Sequence, residues 1–280
     1  MLHQLLGDYV IFSKYIKISH YYPAQSFITA DVVNCSNFKS MWSICKKELY
    51  QFFGNLTGYI AIILFLVVNG IFLFVLKDSN LFDFGYATLD KFFELAPWVF
   101  IFLVPAITMR SLADELKSGT FEILVTKPLS QWQIVLGKYL SILLVLIFII
   151  IPTFIYIFTI KQLSATGSID SGGITGSYIG LFLLASVFAA ISLCCSGFSN
   201  NAVVAFLISV FACLILYFGF NAVSKLPFFQ GGADYYIEML GIDFHYRSTS
   251  RGLLDSRDVI YFLSLIFLFL LIIVKKLGKR

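Results

Sequence analysis

The sequence predicts an all-α integral membrane protein with six transmembrane helices. Three observations predict it. Of the 280 residues, 59% are hydrophobic and 13% are charged, about half the charged share of a soluble domain. The apolar residues gather into long runs suited to the roughly 20-residue helices that cross a hydrocarbon core. The remaining charges gather between those runs, most densely in 110–138, RSLADELKSGTFEILVTKPLSQWQIVLGK.

Residues 1–40 differ from the rest. They lack the basic start and continuous apolar core of a signal peptide, and they contain no run long enough to span. Met41 is expected to be the natural start, with 1–40 an upstream extension and 41–280 the membrane domain. From Met41 the segment MWSICKKELYQFF can place Trp42, Cys45, Leu49, Phe52 and Phe53 on one helical face. Lys47 and Gln51 fall opposite. That pattern predicts an interfacial helix lying on the cytoplasmic surface.

The six spans are expected at about 58–76, 92–109, 139–160, 174–195, 202–220 and 259–274. The second holds Pro97 and Pro105, and the third holds Pro152. The fourth and fifth come from one charge-free run divided by the polar break SGFSNN at 196–201. Six spans place both termini on one side. With the termini inside, 13 of the 20 Lys and Arg lie in inside segments, as the positive-inside rule requires. The segment 110–138 is then cytoplasmic, and 221–258 is the largest external piece.

Taking the second apolar core as 95–109, no Asp, Glu, Lys, Arg or His lies within any core. Such groups usually bind the driving ion of proton- and ion-coupled carriers. Neither GxSxG nor HExxH is present, so no hydrolase or metalloprotease site is in view. The three histidines (His3, His20, His245) and five cysteines are scattered and lack the spacing of a zinc site. A nucleic-acid reader needs a basic face that this chain does not have. The net charge of +4 belongs to membrane topology.

Within 110–138, the helix of the second span runs on to Lys117, and Ser118-Gly119 breaks it. Residues 120–126 offer one or two helical turns that group Phe121, Leu124 and Val125. Glu122 falls in the first turn, where the helix dipole favours an anion. Pro128 stops that piece. Ser130 and Gln133 form a capping box opening the third helix. The result is a short helix held between two turns below the membrane. The ending VLGK at Lys138 is not a phosphate-binding loop. Trp132 stands where the first glycine belongs, and Tyr139 where Ser or Thr belongs.

Glu115-x-x-x-Gly119-Thr120-x-Glu122-x-Leu124, followed by Pro128 and Gly137-Lys138 before a long span, closely resembles the permeases of type-2 ABC exporters. A second stretch, YRSTSRGLLDSRDVIYF at 246–262, resembles the external re-entrant segment of the subgroup that includes the gliding-motility permeases of Bacteroidetes. The likeness covers 41–280. It implies an ATP-driven exporter permease of the bacterial inner membrane, multi-pass, with both termini cytoplasmic. The helix between spans two and three would be a coupling helix. Asp114, Glu115, Gly119, Thr120, Phe121, Glu122 and Pro128 would sit at the groove of an ABC ATP-binding subunit. Phe121 and Leu124 would fill an apolar groove there. Glu122 either pairs with that partner or caps its own helix. Arg247, Arg251, Gly252, Asp255 and Arg257 belong to the external segment, read as a re-entrant gate or as a loop that caps span six. The implied partners are the ATP-binding subunit, a second permease chain (homodimer or heterodimer) and the bilayer, with no nucleic acid. No cofactor is bound by this chain, and ATP-Mg belongs to the partner ATPase. The alternatives are an ion-coupled carrier and a non-transporting scaffold of a motility or envelope assembly.

Overall fold

The structure is a computed structural model that describes residues 41–74, 89–125, 129–163, 170–227 and 232–278. By contacts the chain divides into two units, Met1–Ser40 and Met41–Arg280. All described residues belong to the second, and the extension expected at 1–40 lies outside them. Among the described residues every regular element is helical, as a lipid-embedded chain demands, because each backbone N–H and C=O must find a partner within the protein.

Helix α1 is Met41–Phe53. It buries Ile44 and Cys45, half-buries Leu49, Phe52 and Phe53, and exposes Lys46, Lys47 and Gln51. Trp42 was expected on the apolar face but is 42% exposed, and Ile44 takes its place. A 68° bend then leads to α2, Leu56–Phe74. Helix α3 is Asp90–Ser118, 29 residues without interruption although it contains Pro97 and Pro105. At about 1.5 Å per residue it is roughly 43 Å long, which exceeds a hydrocarbon core of about 30 Å. It starts within two residues of the span expected at 92–109, and its C-terminal end projects nine residues beyond it, to Ser118.

Helix α4 is Thr120–Val125. Helix α5, Gln131–Ile150, opens on the expected capping box, in which Ser130 Oγ accepts from Gln133 N and Gln133 Oε1 accepts from Ser130 N. A short 3₁₀ turn at Ile151–Thr153 accommodates Pro152, and α6, Phe154–Leu163, continues the span. Helix α7 is Ser171–Phe198, and α8 is Ala202–Leu214. The polar break falls at 199–201, where Asn201 Oδ1 caps α8 by accepting from Val203 N at 3.0 Å. A π-helical stretch at Ile215–Gly219 passes into α9, Phe220–Ser224. Two short helices follow, α10 (Ala233–Glu238) and α11 (Ile242–Thr249), then α12, Ser256–Leu277.

Five of these stretches are long and apolar enough to cross a membrane, and six if α1 and Gly58–Phe74 count as one bent span. Helix α7 is the hub. It packs on α3, α5, α8, α11 and α12, and its small residues allow that close approach. A Cβ on Gly197 would stand 2.0 Å from Ile273 Cδ1 of α12. The Gly176/Gly180 pair faces a short helix and its following turn rather than another long span. A Cβ on Gly176 would meet Gly252 O at 2.5 Å, and one on Gly180 would meet Thr249 Cβ at 2.6 Å. The pair therefore seats the end of α11 and the turn that follows it.

Candidate functional site

Two polar centres occupy opposite ends of α3. The first is built around Lys138, one of the few buried charges among the described residues and completely inaccessible. Its Nζ donates to Glu48 Oε1 of α1 at 2.7 Å and to the Ser111 carbonyl of α3 at 2.7 Å. It also pairs with Glu115 Oε2 of α3 at 2.9 Å. Two of the ammonium's three protons are thus hydrogen-bonded, and Glu115 Oε2 adds charge pairing without a hydrogen bond. Lys47 of α1 adds a second cation, 3.2 Å from Glu115 Oε1. Two acids and two bases leave the cluster neutral, which is the condition for keeping charge out of water.

Gly137 makes this possible from the residue before. A Cβ there would lie 3.0 Å from Met41 O and 3.1 Å from Ile44 Cβ, so the bare position 137 lets α1 lie closely against α5. Gly137-Lys138 thus works as a seat followed by a bolt: the glycine admits α1, and the lysine pins α1 and α3 to α5. Close by, the Ser196 hydroxyl of α7 donates to Met109 O at 3.0 Å and accepts from Leu112 N at 3.2 Å and Ala113 N at 3.1 Å. One donor and two lone pairs are all in use.

Beyond this cluster α3 ends at Ser118. Gly119 takes a left-handed φ of +70°, a conformation that costs an L-side chain roughly 1–2 kcal/mol. Ser118 Oγ and Thr120 Oγ1 hydrogen-bond at 2.9 Å across the turn. Of the residues expected at a partner's groove, Asp114, Gly119, Thr120 and Glu122 are exposed together at this turn. Glu115 is committed to Lys138 and Lys47. Phe121 is 4% exposed and packs into its own chain's core rather than standing out to meet a partner groove. Pro128 and the side chain of Leu124 lie outside the described residues.

The second centre lies at the start of α3. Tyr246 of α11 donates its hydroxyl to Phe93 O at 2.7 Å, and burial pushes that hydroxyl well above its ordinary pKa, so it stays a neutral donor. Asp243 accepts from Asn221 Nδ2 of α9 at 2.9 Å and pairs with Arg247, which also reaches Glu238 of α10 at 3.4 Å. His245 is held at both ring nitrogens, Nδ1 by Asp258 Oδ1 at 2.7 Å and Nε2 by Met239 O at 3.0 Å, and it stacks on Tyr261. Asp255 caps α12 by accepting from Arg257 N at 3.0 Å. Gly252 sits at φ +82° against Gly173. Arg251 and the Arg257 side chain are exposed. Among the described residues, no group of three or more His, Cys, Asp or Glu side chains could hold a metal ion.

Sequence reasoning named neither Lys138, Glu48, Asp243 nor His245 as a functional residue. The Asp243/Arg247 spacing of four on a helix was a usable signal. The 90 residues between Glu48 and Lys138 offered none.

Phe93 and Glu115 stand 22 residues apart on one helix, about 33 Å at about 1.5 Å per residue. A bundle of long apolar helices with polar clusters at both ends defines a multi-pass membrane protein. Within that class, the family model described as ABC-2 family transporter protein matches residues 42–230, and the chain belongs to that family. It is a permease component of an ABC transporter. The match runs from α1 to just before α10. No curated protein matches the chain.

Proposed function

We propose that the chain is the permease subunit of an ATP-driven exporter in the bacterial inner membrane, with both termini cytoplasmic. A separate ATP-binding subunit docks on the turn formed by Asp114, Gly119, Thr120 and Glu122. A second permease chain, identical or related, completes the path. The resemblance at 246–262 favours the class of the gliding-motility permease subunit GldF of Bacteroidetes.

The observation that carries this reading is the Lys138 cluster. Helix α4 hangs between α3 and α5, and Lys138 binds those two helices and α1 into one block. Movement imposed at Gly119 therefore reaches the whole block rather than dissipating in a loop. Because α3 is continuous, the same movement reaches Phe93, where Tyr246 links it to the external helices. ATP-driven closure of the partner would in this way change access at the far membrane face.

The test separates the exposed residues from the internal bolt. Asp114→Lys and Glu122→Lys should insert and purify like the natural chain yet lose co-purification with its ATP-binding subunit. Glu115→Lys, by contrast, should lower stability, because it places a third cation beside Lys138 and Lys47. Unchanged association in both surface variants rejects α4 as the docking piece. Export that persists with a hydrolysis-dead partner and follows an ion gradient would place the protein among carriers instead.

A further inference from the structure

At the start of α3 a cavity of about 1060 Å³ opens between α3, α9 and α11. Three helices each turn one face into it. Asp90, Glu94 and Trp98 come from α3 at a spacing of four, which aligns them in one row. Phe218 and Lys225 come from the stretch that begins with the π turn, and Arg251 follows α11. The π turn at Ile215–Gly219 lies on this wall. Such turns are uncommon and concentrate at functional sites.

The charges divide by wall. Asp243 and Arg247 neutralise each other. Of the rest, α3 supplies acids and the other two walls supply bases. Among the described residues, neither Lys225 nor Arg251 has an ion-pair partner, and Asp90 has none either; Glu94 shares Lys91 at 3.0 Å. Trp98 and Phe218, also on the lining, lie 4.4 Å apart between ring centroids, and Trp98 is 49% exposed. On the other side of Trp98 is a second cavity of about 240 Å³, lined by Phe72, Leu73, Leu95 and Trp98 together with Lys91 and Glu94. The two cavities share Glu94 and Trp98. A polar chamber carrying both signs of charge thus adjoins an apolar groove.

We infer that this pair of cavities binds a zwitterionic amphiphile, a phosphate ester that carries an ammonium group and an acyl chain. Lys225 and Arg251 take the phosphate, as cationic donors do. Asp90 and Glu94 take the ammonium, which can also lie against the Trp98 ring. The chain runs past Trp98 into the apolar groove. A neutral sugar would leave the two bases and Asp90 without partners. A purely anionic lipid would use the bases and meet the acids unfavourably. The position suits a lipid headgroup, since Trp side chains favour the membrane–water boundary.

The test uses the purified full-length chain in detergent, without nucleotide or ATPase, so its outcome is independent of the docking proposal. The probes are a short-chain phosphoethanolamine lipid, the matching phosphoglycerol lipid, and soluble phosphoethanolamine. Binding is read by calorimetry and by quenching of tryptophan fluorescence. The zwitterionic lipid should bind saturably and about tenfold more tightly than either comparison, a difference of about 1.4 kcal/mol. Arg251→Glu should lose about tenfold. Asp90→Asn should erase the preference for the ammonium-bearing lipid while leaving the phosphoglycerol lipid unweakened. Both side chains are exposed, so these variants keep the fold. Equal affinity for the two lipids, or affinity untouched by both variants, overturns the site. Equal binding of soluble phosphoethanolamine overturns its amphiphile character.

Discussion

Replacing Lys138 with methionine keeps most of the side chain's volume and removes its charge. The structure decides which energetic regime applies. The Lys138 side chain is 0% exposed, and its partners Glu48 and Glu115 are 14% and 15% exposed. An exposed ion pair is worth about 0.2–1 kcal/mol. Breaking a buried one costs about 3–5 kcal/mol, because the surviving partner keeps its charge without compensation. Here two carboxylates would survive, facing only Lys47, whose side chain is 58% exposed. The buried figure therefore applies. At about 2–4 °C per kcal/mol for a chain of this class of size, the midpoint of thermal unfolding should fall by roughly 6–20 °C. Limited proteolysis should show α1 detaching, with new cleavage at the bend near Gly54 and Asn55. The triple variant Lys138→Met, Glu48→Gln, Glu115→Gln removes the stranded charges and should recover more than half the loss. A single-variant drop below about 4 °C, the exposed-pair regime, would refute the reasoning.

Two further outcomes follow from the geometry. Gly252→Ala adds a Cβ 2.4 Å from Gly173 Cα at φ +82°, whereas Gly119→Ala at φ +70° meets nothing within 4 Å. Both carry the left-handed cost of roughly 1–2 kcal/mol, and only the first adds a collision, so unfolding midpoints should rank Gly252→Ala well below Gly119→Ala; the reverse order refutes the packing. His245→Leu leaves Asp258 buried with neither oxygen hydrogen-bonded, since Oδ2 already lacks a hydrogen-bond partner among the described residues. It should cost about 1–3 kcal/mol and raise hydrogen exchange across 242–258, while adding Asp258→Leu should restore much of the protection.

What could be read from the sequence was whatever local chemistry specifies. Ser130 and Gln133 announce the start of α5 because a capping box needs only four consecutive residues. Ser118-Gly119 and the break at 199–201 are equally local. Span ends were less legible: apolar runs mark the hydrocarbon core, whereas α3 continues polar for two turns to Ser118. Prolines 97 and 105 did not interrupt it, because a helix in lipid has no water to which it can surrender its backbone groups. The Lys138 cluster was illegible for a different reason. Its members lie on three helices, and nothing local to Glu48 distinguishes a buried acid from one on a solvated face. Gly137 was visible as a glycine but not as a seat, since the surface it admits belongs to residues nearly a hundred positions earlier. Phe121 shows the same gap: its apolar character was plain, and which wall it would cover was not.

The saturated Ser196 hydroxyl has a kinematic consequence. Its three bonds to Met109, Leu112 and Ala113 join the last turns of α7 to α3 in buried surroundings. Translation of one helix along the other would strip all three at once, with no water to replace them. Seams made only of apolar side chains face no such penalty and can slip by small rotamer changes. Shear between α3 and α7 therefore carries the cost of three hydrogen bonds, about 0.5–1.5 kcal/mol each, which favours rotation of the pair over sliding. An alternating machine built on this chain would rock a rigid wedge of α3 and α7, and its sliding surfaces would lie elsewhere in the bundle.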